Sequence, residues 1–270
     1  YLATHTGTTA VMIISRAHRY VFGQLPHTAS AAIAFELRAR YGGERILGKH
    51  ATHAEFLRQA TPDERAYFVF ASVRHPLDAV VTHFSKLKHD HQGHFSGTHK
   101  PAPRRRKPPR PPTAEMRERY AFVQNTDDFP AFFRRYYDHL YVNWYLLNAE
   151  KFGMVMRYER IVDGLGEALR RIGITPQRPL PVVNKSERPR EWQDFYDADA
   201  RARAVRNFGP YMEAWNYPFP DDWGPCRVPA LRRWHFRTLT GGARLAARLG
   251  VLDPRSAALD RLRRLAEVRR

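Results

Sequence analysis

Residues 26–32 read Pro-His-Thr-Ala-Ser-Ala-Ala, so Thr28, Ala29, Ser30, Ala31 and Ala32 are all small. They lie between a strand-like run (Tyr20, Val21, Phe22) and an alanine-rich helical pattern. Small side chains at such a junction leave the first helical amides open, and those donors, with the positive end of the helix dipole, attract a phosphate. The alternative is a helix start packed tightly on a sheet, with Thr28 or Ser30 as N-cap. The Gly-Lys-Ser/Thr ending of a nucleotide P-loop is missing. A second stretch, residues 67–86, puts Arg74 just past a buried strand and Thr82 eight positions on, one helical turn beyond Asp78. A guanidinium at a strand end, with a hydroxyl on the adjoining helix, holds a phosphate by charge-assisted hydrogen bonds; otherwise Arg74 forms a surface ion pair with Asp78.

Other reactive side chains offer less. His83, His89, His91, His94 and His99 invite a metal reading, but H-x-H-x-x-H matches no common closed site, no cysteine joins it, and Asp90 is its sole acidic neighbour. A solvated histidine-rich loop is the expectation, with no metal. The single Cys226 excludes an internal disulfide framework and fits a reducing compartment.

The elements that must position these residues alternate strand with helix. Strand-like runs occur at 19–25, 66–73 and 153–158, each followed by a helical pattern. That order predicts an α/β fold, a parallel β-sheet flanked by helices. The helices expected are 29–40, closed by Gly42 and Gly43; one opened by Pro76; an aromatic helix over 129–151; and one from Asp163, as N-cap, to Gly173. Residues 99–112 hold six prolines, with five Arg or Lys beyond Lys100. This is an extended surface loop, either a mobile insertion or an arm that grips an anionic acceptor.

Forty-five Lys and Arg against 27 Asp and Glu give a net charge of +18, so the partners are anionic. Half of the surplus lies in residues 227–270, where 12 Arg meet 3 acids. After Pro229, Leu alternates with Arg at helical spacing; this tail either lies on an anionic membrane surface, Leu and Trp234 inward, or caps the domain. The organisation expected is an extension over 1–11, one domain over 12–225 and a basic tail over 226–270. No run is long and apolar enough for a transmembrane helix, and residues 9–15 are too short for a signal h-region.

Taken together, "LPHTASAAI" and, about 40 residues later, "FASVRHPLDAVVTHF" resemble the sulfotransferases that use PAPS (3′-phosphoadenosine 5′-phosphosulfate), particularly the carbohydrate type. The resemblance runs through residues 48–56, 154–174, 182–190 and 208–219, about 12–220 in all. It implies a P-loop-like nucleotide-binding sulfotransferase fold with PAPS as co-substrate and adenosine 3′,5′-bisphosphate as product. It further implies that the 5′-phosphosulfate lies on the amides of residues 28–32, with hydroxyls from Thr28 and Ser30. Arg74 and Thr82 would take the 3′-phosphate. Lys185 and Ser186 would close over the nucleotide, unless residues 184–188 are only a capping loop.

Two departures bear on catalysis. Relatives carry lysine after the proline, where this chain has His27, and a further Thr and Ser where it has Ala31 and Ala32. An imidazolium can steady charge on the leaving oxygen only below its ordinary pKa of about 6.5. The acceptor hydroxyl needs a base. A histidine six residues before a Phe in relatives acting on uronic-acid hydroxyls matches His50 and Phe56, and His53 and Glu55 stand behind it. The function expected is sulfuryl transfer to a carbohydrate or glycoconjugate hydroxyl, in the cytoplasm or at the inner membrane face. The rivals are a nucleic-acid-binding protein and a family member that binds nucleotide or glycan without turnover.

Overall fold

Strands β1 (Met12–Ser15), β2 (Tyr20–Gly23), β3 (Glu44–Ile46), β4 (Phe68–Val73) and β5 (Met154–Arg157) form one sheet in the order β3-β1-β2-β4-β5. The structure is a computed structural model and describes residues 12–47, 52–98, 111–146, 149–180 and 190–249. These fall into two units: a sheet unit drawn from Thr9–Arg74, Asn143–Lys185 and Thr238–Arg270, and a helical unit drawn from His75–Val142 and Ser186–Arg237. The 1–11 extension and the 99–112 loop lie outside the described residues, apart from Pro111 and Pro112.

The sheet is α/β in character but mixed, not parallel throughout. β2, β4 and β5 run parallel, pairing Gly23 with Ala71 and Val73 with Arg157. β1 is antiparallel to both β2 and β3. The β1–β2 turn carries no glycine; Arg19 takes the left-handed conformation (φ 54°) and its guanidinium is fixed to Asp63 at 2.7 Å. A turn held by a partner 44 residues away leaves no local signal, and β3 is only three residues long.

Alternation along the strands builds a core on each face. Ile13, Tyr20, Phe22 and Phe70 face α1 (Ser30–Arg40) and α6 (Ile161–Arg171), meeting Ile33, Leu37, Leu165 and Leu169. Met12, Ile14, Val21 and Val69 face the other way, with Phe56 of α2 (His53–Gln59). Gly43 admits the chain after α1, since a Cβ there would meet Ile13 Cγ2 at 2.7 Å and the Leu37 carbonyl oxygen at 2.9 Å. α6 starts at Ile161, not at Asp163, because a 3₁₀ turn over Tyr158–Arg160 leads into it; Asp163 then sits in its first turn, favourable to the dipole.

The helical unit holds α3 (Pro76–Lys88), α4 (Ala114–Thr126), α5 (Phe129–Tyr136) and α7 (Ala198–Ala214). α3 is buried nearly all round, as an apolar helix opened by Pro76 should be. The aromatic helix expected over 129–151 stops at Tyr136. A helix continued beyond Tyr137 would join the Tyr137 carbonyl to the Tyr141 amide. Asn207 takes both groups instead: its side-chain amide donates to Tyr137 O at 3.1 Å, and its carbonyl accepts from Tyr141 N–H at 2.9 Å. Helix α8 (Ala230–Arg248) follows Pro229. Among the described residues no helix is long and apolar enough to cross a membrane.

Candidate anion-binding site

The carboxyl ends of the three parallel strands deliver the site, all within the sheet unit. Because Gly23 pairs with Ala71 and Val73 with Arg157, the 24–29 loop, Arg74 and Tyr158 leave the sheet side by side. The loop is backbone-strained: His27 (φ 61°) and Ala29 (φ 56°) are both left-handed without being glycine. A left-handed residue followed by a right-handed one turns successive N–H groups toward a common point, a concavity suited to an anion. The first bond at the α1 terminus runs from Ala32 N–H to Ala29 O at 2.9 Å, so the amides of Ser30 and Ala31 precede any intrahelical partner.

The N-cap is Ala29, with no side-chain cap, and not Thr28 or Ser30. The reason is visible in the loop. Thr28 and Ser30 both donate their hydroxyl protons to the Leu25 carbonyl, at 3.0 and 2.6 Å. Ser72 of β4 in turn donates to the Thr28 carbonyl (3.0 Å) and hydroxyl (2.8 Å). These hydroxyls tie the loop to itself and to β4. No acidic residue occupies the first turn of α1.

Arg74 meets this loop. Its Nη1 donates to the His27 carbonyl at 3.2 Å, and its guanidinium lies over the Tyr158 ring, 4.1 Å from the centroid. The side chain is buried, so both contacts act where water screens weakly. The structure therefore brings together His27, Thr28, Ala29, Ser30, Ala31, Ala32 and Arg74. Ser72 and Tyr158, which hold the loop and the arginine, escape sequence reasoning. A serine inside the apolar run Phe68–Val73 was the available signal for the first.

Thr82 belongs to α3 in the helical unit, where its hydroxyl is buried without a hydrogen-bond partner among the described residues. His50, Lys185 and Ser186 lie outside the described residues. Glu55 closes a capping box at α2, accepting from Thr52 N–H at 2.6 Å while its own amide donates to Thr52 Oγ1. His53 is buried, stacked on Phe56 and edge-on to Phe152, and burial, with Lys151 adding to it, pushes its pKa down to about 4.

Of the histidine series, His83 shares a 2.9 Å hydrogen bond with the Tyr137 hydroxyl, and His89 one of 2.8 Å with the Ser85 carbonyl. Among the described residues no three His, Cys, Asp or Glu side chains gather as a metal site would require.

Comparison of the chain with protein-family models, with curated proteins and with solved structures finds no match.

Proposed function

We propose that the chain is a PAPS-dependent sulfotransferase with a P-loop-like nucleotide site, acting on a hydroxyl of a carbohydrate or glycoconjugate. The observation that carries this reading is the convergence of Arg74 on the backbone of the 24–29 loop, at the carboxyl end of parallel strands. The loop offers amides and the positive end of α1 to the 5′-phosphosulfate; the arginine offers a fixed fork to the 3′-phosphate. Both grips are sequence-separated yet built into one unit, as recognition of a doubly phosphorylated adenosine requires. In the sequence resemblance Thr82 shares the 3′-phosphate.

The chemistry is an in-line displacement at sulfur. The acceptor oxygen forms the new S–O bond while the bond to the bridging oxygen breaks, the bisphosphate leaves with the electron pair, and a base takes the hydroxyl proton. His50 is the base proposed. His53 suits that role less, being walled in by Phe56 and Phe152, and Glu55 is engaged as a cap. In the sequence resemblance His27 holds the position of the cation that steadies the bridging oxygen.

The test is transfer of radiolabelled sulfate from PAPS to a panel of glycans. Turnover by the wild type, abolished in His50→Ala with nucleotide affinity kept, is the expected result. Nucleotide binding without turnover on any acceptor would leave a binding protein. Affinity for nucleic acid, falling steeply with salt and indifferent to adenosine 3′,5′-bisphosphate, would overturn the proposal.

A further inference from the structure

Ser72 is the one polar side chain in β4 (Phe-Val-Phe-Ala-Ser-Val), and it is fully buried. A hydroxyl placed there must find its partner within the protein. It finds Thr28, itself 3% exposed: Ser72 Oγ lies 2.8 Å from Thr28 Oγ1 and 3.0 Å from the Thr28 carbonyl oxygen. Thr28 passes its own hydroxyl proton to the Leu25 carbonyl at 3.0 Å, and Ser30 sends its proton to the same oxygen at 2.6 Å. Both lone pairs of Leu25 O are then taken, and the protons of all three hydroxyls are committed within the sheet unit. Thr28 stands between two left-handed residues, His27 and Ala29. Such conformations persist in non-glycine residues only where the surroundings over-determine them. Ser72 supplies one tie, and Arg74, two positions along, supplies another through the His27 carbonyl at 3.2 Å.

We propose that Ser72 is a positioning residue: through Thr28 it pre-forms the 24–29 loop for a phosphate or phosphosulfate group, and Thr28 and Ser30 hold the shape of that loop rather than donate their hydroxyls to the anion. The proposal rests on the nucleotide reading above for the identity of the anion, and it revises the role that the sequence resemblance implies for the two hydroxyls. A hydroxyl whose proton is already given to Leu25 has none to give to a phosphate oxygen. The anion is then left to the backbone at the start of α1 and to Arg74. A loop ordered before its ligand arrives loses less affinity to ordering when it binds. Removing the tie from β4 therefore weakens binding without removing any group that touches the ligand.

The experiment compares the full-length wild type with Ser72→Ala, Thr28→Val, their combination and Thr28→Ser. Each is titrated calorimetrically with adenosine 3′,5′-bisphosphate and, separately, with pyrophosphate, and amide hydrogen exchange of residues 24–32 is followed in the ligand-free chain. Ser72→Ala and Thr28→Val should each weaken binding about tenfold, and the double variant little more than either, because both break one relay. Exchange in the loop should quicken in both while exchange in α6 stays as in the wild type, which separates a loosened loop from a loosened fold. Thr28→Ser keeps the relay hydroxyl and should bind as the wild type does. Pyrophosphate binding that depends on Ser72, with no binding of the bisphosphate, would remove the nucleotide reading and leave the positioning role standing. Unchanged affinity in Ser72→Ala, or no binding of either anion by the wild type, overturns the proposal. So does a loss in Thr28→Val that Ser72→Ala does not share, which would make the Thr28 hydroxyl a direct ligand. Should Ser72→Ala fail to fold, exchange in the ligand-free Thr28→Val chain decides: quickened exchange in the loop supports the proposal and an unaltered loop overturns it.

Discussion

His53 makes this protein acid-sensitive in a way that can be calculated. The imidazole is buried between Phe56 and Phe152 with its pKa held at about 4, against about 6.5 in an unfolded chain. Its neutral form is the one the fold accepts. Above about pH 6.5 neither state is protonated and the histidine contributes no pH dependence. Between about 6.5 and 4 the unfolded chain binds a proton that the folded one refuses, so stability falls as pH falls, and below 4 the loss levels off. The gap corresponds to about 3 kcal/mol, a large share of the roughly 5–15 kcal/mol that holds a typical domain together. Urea unfolding of the wild type and His53→Phe at a series of pH values isolates this contribution. The wild type should lose about 2–3 kcal/mol more than the variant between about pH 7 and 4. Parallel curves for the two proteins would refute the reasoning and show that the ring is hydrated or paired with an acid.

Three further outcomes follow from the geometry. Asn207→Ala removes the donor to the Tyr137 carbonyl inside a buried region and should cost about 1–3 kcal/mol in denaturant unfolding. Ala29→Gly relieves a left-handed alanine at the α1 entrance and should leave stability unchanged or raised by up to about 1 kcal/mol, whereas Ala29→Val should lower it by more than that; thermal melts distinguish them. Arg74→Lys keeps the charge, but a point-like ammonium cannot stack on Tyr158 and donate to His27 O as the planar fork does. Calorimetry should therefore show adenosine 3′,5′-bisphosphate binding weakened about tenfold or more.

The parts of the fold that sequence makes legible are those determined locally. β2, β4 and β5 are apolar runs followed by helical periodicity, and Pro76 marks the start of α3 by the φ it imposes. What sequence hides is determined at a distance. The end of α5 depends on Asn207, 70 residues along the chain from Tyr137, and the β1–β2 turn depends on Asp63. The same division runs through the site. Small residues at 28–32 and an arginine after a strand can be read from type and spacing. That Thr28 and Ser30 turn their hydroxyls onto Leu25, and that Tyr158 lies under Arg74, follows only from strand register and a tight loop.

The central claim is that the 24–29 loop and Arg74 together hold an adenosine with phosphates at both ends. Thermal stabilisation tests it most directly. At about a hundred times its dissociation constant, adenosine 3′,5′-bisphosphate should stabilise the folded chain by about 2.7 kcal/mol, a rise in melting temperature of about 5 °C or more. Adenosine 5′-monophosphate, lacking the 3′-phosphate, should give clearly less, and Arg74→Ala should remove the difference between the two ligands. No shift at millimolar bisphosphate, or equal shifts for both nucleotides in the wild type, would contradict the account.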